Sequence, residues 1–217
     1  MSQYTLHCFA LSGSSYKVAL FFALAGLKWE PIFVDYLGGE TRSVRYRAEV
    51  NEQGEAPVLV HGNRKLSQSA VILDYLVEQT GQFGGDNQEE RREIWRWMLF
   101  DNHKFTSYYA TLRFLYAIQK QGDSEVIEFL RQRARMAYQI VDDHLARTDF
   151  MIGSRATIAD ISLAGYVFMP EETGLDLRAY ANIEAWKMRL RSLPGWKHPY
   201  DLMPGPTPPF QDKVALF

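Results

Sequence analysis

The chain has 217 residues, more than a typical domain of about 150 and enough to bury a core without staples. Hydrophobic residues make up 47%, charged residues 23% and aromatic residues 14%, which excludes disordered, collagen-like and low-complexity classes. With 24 basic against 26 acidic residues the net charge is −2, too balanced for bulk attraction to nucleic acid or an anionic membrane.

The amino-terminal third alternates strand-like and helix-like segments. Tyr4 to Phe9 reads as a strand with Leu6 and Cys8 on one face. Ser12-Gly13-Ser14-Ser15 is a turn with helix-capping chemistry, and Tyr16 to Ala25 follows as an apolar helix stopped by Gly26. Trp29 to Val34 predicts a second strand, and the Gly38-Gly39 turn precedes a basic, helical stretch from Thr41 to Glu49. Pro57 introduces a short strand, Val58 to Val60, and His61-Gly62-Asn63-Arg64 turns a hairpin toward Leu66. Ser67-Gln68-Ser69 is expected to cap a helix running from Ala70 to Thr80. The order is β-α-β-α-β-β-α.

Polar, glycine-rich residues from Gly81 to Gln88 read as a linker. Beyond it the spacing is helical. Apolar residues recur from Ile94 to Leu115 and again from Val126 to Leu145; Thr157 opens a third helix, and Asn182, Trp186 and Leu190 mark a fourth. Five of the nine prolines fall in the last 19 residues, predicting an extended tail with no core role. The expected division is an α/β domain over 1–81, a linker over 82–88, an all-helical domain over 89–203 and a proline-rich tail over 204–217.

A single cysteine, Cys8, supplies no internal disulfide, dithiol redox pair or cysteine-based zinc site. His7, His61, His103, His144 and His198 are scattered without metal-ligand spacing, and no phosphate loop or dinucleotide fingerprint occurs, so no metal or nucleotide is expected. The first residues lack the basic and apolar regions of a secretory signal, and the apolar run Val18 to Leu27 is too short to span a bilayer. A soluble, cytoplasmic protein with no nucleic-acid or membrane partner is the expectation.

Four segments carry a resemblance. They are Phe9-Ala10-Leu11-Ser12-Gly13-Ser14-Ser15-Tyr16-Lys17-Val18, Gly54-Glu55-Ala56-Pro57-Val58-Leu59, Leu66-Ser67-Gln68-Ser69-Ala70-Val71-Ile72 and Thr157-Ile158-Ala159-Asp160. In this order and spacing the chain resembles the cytosolic glutathione transferases, of a serine-type, bacterial-like kind, over nearly all its length up to the tail. The resemblance implies a thioredoxin-like amino-terminal domain followed by an all-α domain, glutathione as co-substrate, a small electrophilic or apolar second substrate, and a homodimer. The implied activity is transfer of glutathione in detoxification, or reduction of peroxides or disulfides. The competing class is a non-catalytic binding or scaffold protein that kept the fold.

Ser12 stands where serine-type members place the residue that activates glutathione. A free thiol has a pKa near about 8.5, so a hydroxyl donated to the sulfur and a helix amino terminus both favour the reactive anion. Ser12, Ser14 and Ser15 also suit a plain turn and cap, and Ser14 or Ser15 could be the donor instead. By resemblance, the bond before Pro57 is cis and Ala56 binds the cysteinyl unit through its backbone. Gln68 and Ser69 meet the γ-glutamyl end at a helix amino terminus, Gln68 where many relatives have glutamate. Glu55 falls near the expected glycine carboxylate, which it repels unless it turns away or pairs with a base such as Arg42.

Asp101 and Lys104 lie in phase with Trp97 and Tyr108 on one helical stripe. Either they form an i,i+3 ion pair or they face a co-substrate pocket, where His103-Lys104 resembles a pair carried by bacterial members. Tyr108, with Tyr109 and Phe114, either walls that pocket or belongs to the core. Thr157 and Asp160 fit a capping box, a folding device.

Overall fold

The computed structural model describes residues 3–208, which divide into two compact units, 3–82 with 194–208 and 83–193. In the first, β1 (Tyr4–Cys8), α1 (Gly13–Leu24), β2 (Trp29–Phe33), α2 (Val44–Glu49), β3 (Val58–His61), β4 (Arg64–Ser67) and α3 (Ser69–Thr80) follow in the expected order. The strands form one sheet in the order β2-β1-β3-β4. β1 and β2 are parallel, a pairing that requires the crossover α1 supplies, while β3 runs antiparallel to both β1 and β4.

Alternation along β1 buries Tyr4, Leu6 and Cys8 on one face. α1 is apolar on nearly every side, and Tyr16 to Phe22 are all buried, as befits a helix enclosed by its neighbours. It packs against α3, which contributes the fully buried Ile72, Leu73 and Leu76. β2 is an edge strand with most of its residues exposed, a place where Pro31 costs no ladder bond.

The second unit is helical: α4 (Gln88–Phe100), α5 (Thr106–Arg113), α6 (Glu125–Leu145), α7 (Ile158–Leu163) and α8 (Ala181–Arg191). The run anticipated as one long helix is α4 and α5 joined by a π-helical turn, Asp101–Phe105, and extended by another, Phe114–Ile118. Each π turn widens the ring by one residue, so the buried stripe drifts from the plain α repeat. Phe105, Tyr109 and Tyr138 stack in the core, with Tyr138 4.7 Å from Phe105 and 5.7 Å from Tyr109. The capping box at the start of α7 forms as read: Thr157 accepts from the chain ahead and Thr157 N donates to Asp160 Oδ2 at 2.9 Å. Asp160 also accepts from Met151 N and from Trp186 Nε1, so a local cap fastens three segments of the unit.

Both expected boundaries of the helical domain shift. Residues 83–87 are held by it: Ile158 N donates to Phe83 O, Arg155 to Gly84 O, and Arg155 pairs with Asp86 and Glu90. At the other end, residues 194–208, including α9 (Pro199–Leu202), belong with the first unit. Tyr16 donates to Lys197 O and Ala10 N donates to Pro204 O at 2.8 Å. Gly195, at φ +88°, passes so near that a Cβ would stand 2.2 Å from Ala23 O. The start of the proline-rich segment is therefore part of the first unit's packing, and residues 209–217 lie outside the described residues. No helix among the described residues is long and apolar enough to cross a membrane.

Candidate functional site

The sheet register gathers three of the singled-out segments. His7 near the end of β1 pairs with Val58 at the start of β3, and Val58 pairs with Ser67 at the end of β4. Because β3 is antiparallel to both, the turn holding Ser12, the Ala56–Pro57 step and the start of α3 all emerge at the same end of the sheet. Ser12, Ala56, Pro57, Gln68 and Ser69 are thus brought together on one unit.

Ser12 is the amino-terminal cap of α1, its Oγ accepting from Ser15 N at 3.0 Å. That bond uses a lone pair and leaves the hydroxyl proton to be donated elsewhere. Ser12 is buried with 6% of its surface exposed and Ser14 is half-buried, whereas Ser15 is fully buried and its hydroxyl has no hydrogen-bond partner. The three serines are therefore not equivalent: Ser15 contributes a backbone N–H to the turn, and its side chain points into the interior.

The Ala56–Pro57 bond is cis. The residue before it is clamped through its carbonyl, Glu55 O accepting from Tyr46 Oη at 3.0 Å and from Asn51 Nδ2 at 2.9 Å. Burial and the nearby Glu40 charge push the Tyr46 phenol up to about 12, so it remains a donor at any working pH. Neither clamp was visible in the sequence, because a side chain that bonds a backbone carbonyl leaves no spacing rule behind.

α3 begins without the expected cap. Gln68 occupies the cap position at φ 66°, and no side chain accepts from the first-turn N–H groups; nor does that turn carry an acidic residue. Ser67-Gln68-Ser69 does not close this helix end. Its N–H groups and positive dipole end stay available to an anion. The Gln68 side chain reaches sideways, Nε2 donating to Glu55 Oε2 at 2.8 Å and to Gln53 Oε1 at 3.0 Å. Glu55 thus turns toward an amide, and the pairing with Arg42 does not occur. Gln53 was not singled out in the sequence, since nothing in its surroundings marks it.

Asp101 is fully buried in the helical unit, accepting from Thr106 Oγ1 and Ser162 Oγ at 2.6 Å each. Both oxygens are engaged by hydroxyls, so the ion pair with Lys104 does not form and the assignment of Asp101 to a co-substrate pocket is corrected. Lys104 and Tyr108 are half-buried, and Tyr109 is core. Cys8 is fully buried, and burial pushes its thiol up to about 12, far from nucleophilic character. No group of three His, Cys, Asp or Glu suited to a metal ion occurs among the described residues.

Residues 6–84 match the glutathione S-transferase amino-terminal domain model, and residues 106–194 match the carboxy-terminal one. A crystal structure of a glutathione S-transferase from Pseudomonas fluorescens [Pf-5] is 32% identical with a TM-score of 0.84, covering 89% of this chain and 96% of that one. Glutathione S-transferase F14 of Arabidopsis thaliana is 28% identical over 210 residues, 90% of this chain and 82% of its own length. The disulfide-bond oxidoreductase YfcG of Escherichia coli (strain K12) is 28% identical over 204 residues, 86% of this chain and 89% of its own length.

Proposed function

Because this chain belongs to the glutathione transferase family, we propose that it is an enzyme that binds glutathione on its first unit and turns the tripeptide's thiol into a nucleophile. The observation that carries this reading is the convergence of the Ser12 cap, the Ala56–Pro57 step and the uncapped start of α3 at one end of the sheet. In this assignment the α3 terminus and Ser69 take the γ-glutamyl carboxylate, and the Ala56 backbone takes the cysteinyl unit. Ser12 donates its remaining proton to the sulfur, and the positive end of α1 adds to the stabilisation. Lowering a thiol pKa by about two units requires roughly 2.7 kcal/mol of preference for the anion, which a donor and a helix end supply together.

The thiol proton leaves to solvent and the thiolate attacks an electrophilic carbon; a carbon–sulfur bond forms as the leaving group departs with its electron pair. Kinship with a disulfide-bond oxidoreductase favours a second reaction on the same site, attack on a disulfide sulfur with expulsion of the other thiolate. Lys104 and Tyr108 are assigned to the second substrate, a small electrophilic or apolar molecule. The assignment extends to the serine-type, bacterial-like branch of the family, acting in detoxification as a cytoplasmic homodimer; the serine at the α1 cap supports the first of these, and sedimentation measures the last.

Retention on immobilised glutathione, with glutathione-dependent turnover of chlorodinitrobenzene and of hydroxyethyl disulfide, tests the reading and separates its two reactions. Failure of all three would leave a binding or scaffold protein.

A further inference from the structure

The first π turn, Asp101–Phe105, carries a tie that an α-helix does not allow. Thr106 N donates to Asp101 O, closing the widened i→i+5 ring, and Thr106 Oγ1 donates to Asp101 Oδ1 at 2.6 Å between the same two residues. Residues five apart stand about 140° from each other around an α-helix, so these side chains meet because the ring is widened. The other carboxylate oxygen, Oδ2, accepts from Ser162 Oγ at 2.6 Å. Ser162 is fully buried in α7, whose start is fastened by the Thr157–Asp160 box. Asp101 thus joins the two ends of the π turn to each other and to a fixed helix.

The turn decides which side chains face inward beyond it. On an unbroken α repeat Lys104 and Tyr108 share the interior stripe with Trp97 and Asp101, while Tyr109 and Arg113 lie about 80° and 120° away from Asp101. One extra residue in the ring turns everything after it back by about 100°. Tyr109 and Arg113 then come into line with Asp101. Both are buried, Tyr109 Oη donating to Met169 O and Arg113 Nε pairing with Glu172. Lys104 and Tyr108 are left half-buried. We propose that Asp101, Thr106 and Ser162 are positioning residues for the second substrate: their latch selects the π turn, and the turn presents Lys104 and Tyr108 instead of folding them into the core. This rests on the transferase reading above, which assigns Lys104 and Tyr108 to that substrate, and deepens it. Asp101 acts through the turn and does not touch the ligand.

The test reads the latch and its consequence separately. Ser162→Ala and the isosteric Thr106→Val should each speed hydrogen exchange of the amide at residue 106 by about tenfold or more, the size of one bond to a charged group. At saturating glutathione, the KM for the second substrate, chlorodinitrobenzene or hydroxyethyl disulfide, should rise about three- to tenfold in both variants. The KM for glutathione and the thiolate titration of the bound tripeptide should stay at wild-type values. Thr106→Ser, which keeps the hydroxyl, should return the second-substrate KM to wild type. Thermal melting checks that each variant is folded, and the Thr106 pair, at a half-buried position, carries the test if Ser162→Ala does not fold. Unchanged exchange at residue 106 overturns the latch. Faster exchange with an unchanged second-substrate KM, or an equal rise in both KM values, overturns its positioning role. Wild type that turns over neither substrate with glutathione overturns the transferase reading itself, and exchange still decides the latch.

Discussion

Replacing Ser12 by alanine removes two things at once: the acceptor that holds Ser15 N at 3.0 Å, and the hydroxyl proton assigned to the glutathione sulfur. The two losses have separate magnitudes. The Ser15 N–H becomes unsatisfied at a fully buried residue, and a lost serine cap costs about 1 kcal/mol, reaching about 2 where water cannot substitute. For a chain of this size that lowers the melting temperature of the first unit by roughly 2–8 °C. A hydrogen bond to a charged group contributes about 1.5–3 kcal/mol, and its loss raises the pKa of bound glutathione by roughly one to two units. The assay is thiolate absorbance of the bound tripeptide against pH, with turnover measured on the same sample. Turnover at pH 6.5 should fall about 10–100-fold and recover as pH climbs past the raised pKa. Ser12→Thr, which keeps the hydroxyl, should restore both readouts in large part. Ser15→Ala should leave the titration alone, since that hydroxyl is buried and unpaired. If Ser12→Ala lowers stability but leaves the thiolate titration unmoved, Ser12 is a cap only and the assignment of the donor is wrong.

Cys8, with a thiol pushed up to about 12 by burial, should resist alkylation at pH 8 in the native protein and react fully in denaturant; Cys8→Ala should retain turnover, and its loss would place a reactive sulfur on the protein. The buried pair of Arg113 Nε and Glu172 Oε2, at 2.6 Å, should make Glu172→Ala costly by about 3–5 kcal/mol in chemical denaturation, with Arg113→Met plus Glu172→Met recovering most of it. Equal losses in the single and double variants would contradict that coupling. Burial lowers the His144 imidazole pKa from its ordinary 6.5, partly opposed by its bond to Met151 O. The unfolded chain then binds the proton more readily, so this contribution to stability is complete above about 6.5 and is lost as pH falls toward the lowered value. Melting curves from pH 5 to 8 should show the slope, and His144→Phe should flatten it.

Features decided by neighbours in sequence were legible without coordinates. The order of strands and helices in the first unit follows from apolar periodicity and the turns between, both of which act within a few residues. The Thr157–Asp160 box spans three positions, so its spacing alone specifies the bonds, and they form. A capping turn over Ser12 to Ser15 was legible in the same way, but the helix begins at Gly13 with Ser12 as its cap, three residues before the expected Tyr16. The long helix was read correctly as helical, but its two π turns were not, because the widened ring shifts the phase without altering composition. The plain repeat did place Asp101 on the buried stripe with Trp97, where both lie.

What only the tertiary structure decided are the contacts between distant residues. Asp101 is satisfied by Ser162, 61 positions away, so its burial could not be told from an aimed charge by spacing. Residues 194–208 read as the end of a helical domain and the start of a tail, yet the carbonyls of Lys197 and Pro204 complete the first unit through Tyr16 and Ala10. Glu55 is the clearest instance. Sequence showed an acid one residue before Ala56-Pro57, but its direction depends on the hairpin register that brings Gln68 within 2.8 Å. Length, composition and the lone buried cysteine established a two-part protein with no reactive thiol of its own. Where its charges point was set by packing, because a side chain's partner is chosen by the fold and not by its neighbours in the chain.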